Sequence, residues 1–188
     1  MGMDIGALIE CRTVCRHSDI RISNLEQGLG DLGEAIAQQW IADGRDRSVV
    51  SEPTSWVDFE WGDRIEPPKK IALGVDLRLR CGFRITFGKG GAALYYPLRL
   101  RQLVECEKWQ RLIVAACKLT TQTLEGTKCL LTCDNAMPIY SFLGGMTFEN
   151  AMETVKADTE VGSARELECW LLEGGENCGC YVSVQPVK

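Results

Sequence analysis

Large apolar residues recur at every second position over residues 71–79, a period that is typical of a β-strand with one side in a core. The intervening positions hold the small residues Ala72 and Gly74, then the carboxylate of Asp76 and an arginine. Because the small neighbours leave room beside Asp76, we expect its face of the strand to be partly covered as well. The sequence therefore predicts a sheet strand with an acidic side chain on its second face.

The clearest helical pattern lies in residues 24–42, where large apolar residues recur at spacings of three or four. Asn24 is the predicted N-cap, with Gln27 as its reciprocal partner. The glycines of this stretch are Gly28, Gly30 and Gly33. A dinucleotide-binding loop needs an apolar strand before its first glycine, and a polar segment stands there instead, so no nucleotide cofactor is predicted.

The remaining patterns complete a mixed α/β chain. Strands are predicted at residues 48–51, 56–61, 83–87, 92–107 and 128–133, with a hairpin at 166–173 and 178–185. Helices are predicted at residues 109–121 and 147–156, the second capped by Thr147, and residues 103–133 form a strand–helix–strand crossover. We expect one domain with a mixed sheet flanked by helices: a helical or irregular arm at 1–23, a core at 24–133, and a C-terminal helix plus β-hairpin at 134–188.

Residues 101–112 contain two glutamates at alternate positions, Glu105 and Glu107. On a strand these side chains would lie side by side and repel each other. A bound divalent cation would offset the repulsion, because Mg²⁺ is held by one or two carboxylates plus water and phosphate oxygens. A solvated edge with both acids facing water is the other interpretation, and the pattern leaves both open.

Charge is distributed in blocks along a chain whose total net charge is −5. Residues 64–111 carry a net charge of +7, whereas residues 1–63 and 134–188 carry −7 and −6. A basic middle beside carboxylates is suited to attracting phosphates. Pairs such as Arg78 and Arg80 are equally explained as outward-facing strand positions, so both interpretations stand.

The chain has ten cysteines and a single histidine, His17. No apolar run is long enough to cross a membrane and no signal pattern is evident, so a cytoplasmic protein with reduced core thiols is predicted. A Ser-His-Asp triad would need His17, whose flanking residues match no such motif. Zinc held by Cys11, Cys15 and His17 is an alternative to two helix-face thiols and a surface imidazole.

Three acidic segments follow one another along the predicted elements: Glu34 on the first helix, Asp76 on a middle strand, and Glu105-Cys-Glu107. In this order they resemble the PD-(D/E)XK nuclease-like superfamily. The resemblance covers residues 24–133 and implies a restriction-endonuclease-like α-β-β-β-α-β core. Glu107 occupies the usual lysine position of that motif, and Lys108 comes one residue later.

The resemblance implies a nuclease that hydrolyses phosphodiester bonds with Mg²⁺ or Mn²⁺ and acts on nucleic acid, with DNA favoured over RNA. Asp76 and Glu105 would hold the metal, Glu107 would orient water or share the metal, and Glu34 would bind the metal through water. The side chains implied to hold the nucleic-acid backbone are Lys69, Lys70, Arg78, Arg80 and Arg84.

The two acidic ends of the chain support a second hypothesis, a non-catalytic protein. An inhibitor or immunity-type protein, or a nuclease-like fold used only for binding, would present such an acidic surface to a basic partner protein. Either hypothesis allows a homodimer, and neither involves a membrane. Convergence of Asp76, Glu105 and Glu107 in one basic-rimmed cleft would separate the two hypotheses.

Overall fold

A computed structural model gives the three-dimensional structure of the chain. The part that it describes consists of residues 4–11, 20–42, 55–62, 70–79, 82–99, 103–104, 106–133, 138–173 and 179–185. Eight strands of this part form one sheet with helices on both faces, which confirms the predicted mixed α/β class. The strands are β1 (Asp4–Ile9), β2 (Ser55–Gly62), β3 (Lys70–Arg78), β4 (Arg84–Phe87), β5 (Ala92–Arg99), β6 (Lys128–Cys133), β7 (Thr159–Glu160) and β8 (Cys180–Ser183).

Two layers of helices enclose the sheet. The helices are α1 (Ile20–Ala42), α2 (Glu107–Thr123), α3 (Pro138–Leu143), α4 (Phe148–Thr154) and α5 (Ala164–Leu172). Helices α1, α2 and α5 pack on what we call the first face, where Leu25 and Leu29 of α1 share a core with Leu77 of β3. Helices α3 and α4 pack on the second face, where the rings of Phe142 and Phe148 meet edge to face.

The order of strands across the sheet is β2-β3-β4-β5-β1-β6-β8-β7. Neighbouring strands are antiparallel except for β7 and β8, which run parallel. Strand β1 lies between β5 and β6 and is antiparallel to both, so β5 and β6 run in the same direction with α2 in their connection. None of the described helices is both long enough and apolar enough to span a lipid bilayer.

Several predicted elements are confirmed. Helix α1 contains residues 24–42, α2 contains residues 109–121, and β2, β3 and β6 match the strands predicted there. Strands β4 and β5 lie within the strands predicted at 83–87 and 92–107 and form a hairpin, closed by a 2.8 Å hydrogen bond from the N–H of Gly88 to the carbonyl of Gly91. Thr147 caps α4, and its hydroxyl oxygen accepts from the N–H of Asn150 at 3.2 Å.

The predicted N-terminal arm over residues 1–23 is wrong, because its described part supplies strand β1 inside the sheet and the first turn of α1. Ala7 and Ile9 belong to the core on the first face, and Leu8 belongs to the core on the second face. A strand buried on both faces shows no apolar alternation. The apolar residues of β1 therefore do not alternate with polar ones, and the sequence gives no signal of a strand there.

The strand predicted over residues 92–107 ends at Arg99, and Glu107 does not lie on a strand. Leu103 and Val104 are helical, and Glu107 is the first residue of α2. A carboxylate in the first turn of a helix is favoured by the positive end of the helix dipole. Alternation over five residues is too short to distinguish such a helix start from a strand. Glu105 lies outside the described residues, as does the predicted strand at 48–51.

The predicted C-terminal hairpin is wrong, because most of residues 166–173 lie in α5. The buried side chains of this helix are Leu167, Trp170 and Leu171, which repeat at helical spacing. Ser163 caps the helix by accepting a hydrogen bond from the N–H of Glu166 at 3.3 Å. This Ser-x-x-Glu capping box was the available signal for a helix.

Two smaller differences concern helix ends. Helix α1 begins at Ile20, so Asn24 lies exposed in its second turn rather than at its N-cap. Helix α3 lies at residues 138–143, where the sequence analysis predicts no helix. The buried side chains of α3, Ile139, Phe142 and Leu143, belong to the core on the second face, so contact with the sheet rather than local propensity accounts for this helix.

Candidate functional site

Asp76 is buried in the second face of the sheet, with only 1% of its surface exposed. The hydroxyl of Thr86 on β4 donates to Oδ1 of Asp76 at 2.5 Å, and Nε of Arg84 lies 3.7 Å from Oδ2. A buried carboxylate is tolerated when such partners compensate for its lost hydration. Both oxygens of Asp76 are thus engaged by residues of the neighbouring strand.

Arg84 is held from a second side by an aromatic ring. Its guanidinium carbon lies 4.4 Å from the centroid of Tyr95 on β5, a cation–π distance. The strand register places Asp76 opposite Thr86 and Arg84 opposite Tyr95. Directly opposed residues of antiparallel strands lie on the same face, so these four side chains form one polar group, here called the Asp76 cluster.

The Asp76 cluster lies on the side of the sheet away from α1 and α2. Leu77 and Ile85, the strand neighbours of Asp76 and Thr86, belong to the core on the first face. Because successive strand residues point to opposite faces, Asp76 and Thr86 point to the second face. Any group carried by α1 or α2 is therefore separated from Asp76 by the sheet.

Glu107 and Glu34 are carried by those two helices. Glu107 is exposed at the start of α2, and its Oε1 accepts from Nη2 of Arg111 at 2.5 Å and from Nε at 3.1 Å. Glu34 is exposed on α1. The structure does not bring either side chain to Asp76, and within the described ranges no three His, Cys, Asp or Glu side chains are placed to share a metal ion.

The predicted nucleic-acid contacts are described only in part. Arg78 is exposed on β3 and Arg84 is half-buried on β4, both on the second face. Lys69 and Arg80 lie outside the described residues, and the side chain of Lys70 does too. The two described arginines are therefore the part of the predicted basic surface that has a defined position.

Buried thiols account for part of the high cysteine count. Cys117 of α2, Cys129 of β6 and Cys180 of β8 are free and buried in the core on the first face. A hydrogen bond with Cys117, together with burial, raises the pKa of Cys129 well above its usual value. This thiol therefore stays protonated and behaves as a core residue, as predicted. Cys15 and His17 of the alternative zinc site lie outside the described residues.

Carboxylates are concentrated in the segment of the chain that includes edge strand β7. Residues 148–173 hold seven acidic and two basic side chains, a net charge of −5. The exposed members, here called the acidic rim, are Glu149, Glu153, Asp158, Glu160, Glu166 and Glu173. The sequence signalled this surface only through the net charge of the C-terminal segment, because helix α5 was not predicted.

Glu166 has a structural role within the rim. Its Oε2 accepts from the N–H of Gly162 at 2.7 Å and from the hydroxyl of Ser163 at 3.0 Å. The hydrogen bond from Gly162, and after it the one from Ser163, lowers the pKa of Glu166 below its usual value. The other rim carboxylates, on α4, on and beside β7, and at the end of α5, are exposed.

Comparison with known proteins finds no matching protein family, curated protein or solved structure for this chain.

Proposed function

We propose that this chain acts by binding a basic partner protein through the acidic rim. The observation that carries the proposal is the concentration of exposed carboxylates on α4, β7 and α5, with Lys156 and Arg165 as the basic residues of that segment. Complementary charge steers association and disfavours partners of the same sign. A surface of this kind suits an inhibitor or immunity-type protein.

The arrangement of secondary structure supports a role at the sheet edge. Strand β7 has two residues, both exposed, and is the last strand of the sheet. Helix α4 packs on the second face and α5 on the first, and β7 lies between them in the chain, so acidic residues are carried on both faces and on the edge strand. A partner that covers this edge would meet carboxylates from three consecutive elements at once.

The metal-dependent nuclease activity and the restriction-endonuclease-like core stay predictions. From α1 to β6 the described elements are helix, four strands, helix, strand, one strand more than the α-β-β-β-α-β pattern. A metal at Asp76 would have to replace Thr86 and Arg84 as partners of a buried carboxylate. The binding function requires no such rearrangement and is therefore the one that the geometry favours.

Two charge-reversed variants with the same net charge test the proposal. The rim variant is Glu153→Lys with Glu160→Lys, and the control is Asp31→Lys with Glu34→Lys, two exposed acids of α1. A fluorescein-labelled peptide of alternating lysine and serine serves as the probe in an anisotropy titration. We expect the rim variant to lose about tenfold in affinity and the control to lose little.

Equal losses in the two variants would contradict the proposal, because they would show that total charge rather than the rim determines binding. The titration is repeated at raised salt, where the affinity of the wild-type chain falls because exposed charges are screened. Salt-independent binding would likewise argue against a charge-based surface.

A further inference from the structure

Four hydrogen-bond donors form a row across the sheet, at the end opposite to the acidic rim. Ser55 on β2 is paired with Arg78 on β3, Arg78 with Arg84 on β4, and Arg84 with Tyr95 on β5. Paired residues on antiparallel strands have their Cβ atoms about 5 Å apart and share one face. We call Ser55, Arg78, Arg84 and Tyr95 the donor row.

Arg78 is the exposed member of the row. No carboxylate in the described part of the chain pairs with it, and its direct neighbour across the strands is a second arginine, Arg84. Like charges placed directly opposite each other destabilise a sheet. An anion bound between the two guanidinium groups would remove this repulsion.

Arg84 is oriented by its surroundings rather than by chance. Asp76 lies 3.7 Å from its Nε, and the ring of Tyr95 lies 4.4 Å from its guanidinium carbon. Asp76 compensates for one positive charge of the pair, so the row keeps an excess of about one unit charge. The half-buried guanidinium group of Arg84 is thus held by these contacts, on the strand residue paired with Arg78.

One end of the row meets helix α3. Tyr95 is paired with Gly6 of β1, and a Cβ at Gly6 would lie 3.0 Å from Cδ1 of Ile139. Helix α3 therefore covers the sheet directly beside Tyr95 and forms a wall there. A ligand on the row would be bounded by this wall at the Tyr95 end, whereas the Ser55 end lies on edge strand β2.

We propose that the donor row binds a phosphate group. Guanidinium groups recognise phosphate by paired, charge-assisted hydrogen bonds, and hydroxyl donors can satisfy the remaining oxygens. The row presents two guanidinium groups, a serine hydroxyl and a tyrosine hydroxyl within four adjacent strands. The buried carboxylate of Asp76 lies beside the row on the same face of the sheet and orients Arg84. This inference is independent of the function proposed for the acidic rim.

Titration with inorganic pyrophosphate, followed by calorimetry, tests the site. We expect saturable binding to the wild-type chain and an affinity about tenfold lower in Arg78→Gln, equivalent to the loss of one charge-assisted hydrogen bond. Arg111→Gln removes an equal charge from an exposed position on α2 and should bind as the wild type does. Arg78 is exposed, so its replacement should leave the fold intact.

Absence of saturable binding, or equal affinity in Arg78→Gln and the wild type, would overturn the inference. A second titration with short fluorescein-labelled single-stranded DNA distinguishes two sources of the phosphate group. Binding that is sensitive to Arg78→Gln would identify a nucleic-acid backbone as the source. Binding of pyrophosphate alone would identify a small phosphorylated compound. Both results support a phosphate site on the row.

Discussion

Thr86 donates its hydroxyl hydrogen to Asp76 across the β3–β4 pair, and both side chains are almost fully buried. Asp76, a catalytic candidate in the sequence, is thereby engaged within the second face of the sheet. Since a buried carboxylate without donors is costly, this contact should contribute measurably to stability.

Replacement of Thr86 by valine keeps the shape of the side chain and removes the donor. We expect the free energy of unfolding to fall by about 1–3 kcal/mol, because Oδ1 of Asp76 would lose its partner. Urea denaturation measures this loss. Thr154→Val is the matched control, since it removes an exposed hydroxyl that donates to the carbonyl of Asn150. Equal effects of the two changes would show that the buried bond has no special role.

Leu8 tests the unexpected position of β1 at the centre of the sheet. It is completely buried and belongs to the core on the second face. Leu8→Ala should lower the free energy of unfolding by about 2–5 kcal/mol, through lost burial and the cavity left behind. Leu172→Ala makes the same chemical change at a leucine that is 68% exposed, and should alter stability by about 0.5 kcal/mol or less. A mild effect at Leu8 would contradict the placement of β1.

Glu166 should make stability depend on pH. Hydrogen bonds from Gly162 and Ser163 lower its pKa in the folded chain, so the ionised carboxylate stabilises the fold at neutral pH. That contribution is lost as the pH falls through the lowered pKa. Glu166→Gln keeps the capping geometry without the charge. The difference in urea midpoint between wild type and variant should therefore be largest at neutral pH and vanish in acid, and a difference independent of pH would refute the assignment.

Elements with one apolar and one polar side could be predicted from the period of their residues. Strand β3 and the described part of α1 leave one side polar, so burial imposes a period on their sequences. Strand β1 is buried on both faces, and its residues carry no such period. Helix α5 has apolar residues at helical spacing and a capping box, but its short apolar run also fits the alternation of a strand, as predicted for residues 166–173. Contact of Leu167, Trp170 and Leu171 with the core distinguishes the two.

The candidate site shows a different limit of sequence reasoning. Partial covering of the Asp76 face was predicted from its small neighbours, and the carboxylate is indeed buried. Its partners Thr86 and Arg84 depend on strand register, which the sequence does not contain locally. The position of Glu107 depended on the choice between strand and helix for a short segment. Residues far apart in the chain can be assigned to one site only when the strand register and the type of each element are known.

The proposed binding function implies that the carboxylates of this chain serve its structure and its binding surface rather than hydrolysis of phosphodiester bonds. The decisive measurement is the nicking of supercoiled plasmid in the presence of Mg²⁺ or Mn²⁺ by the wild-type chain and by folded Asp76→Asn. We expect the same background rate of nicking for both proteins. Nicking by the wild type that needs the metal and disappears in Asp76→Asn would contradict this expectation.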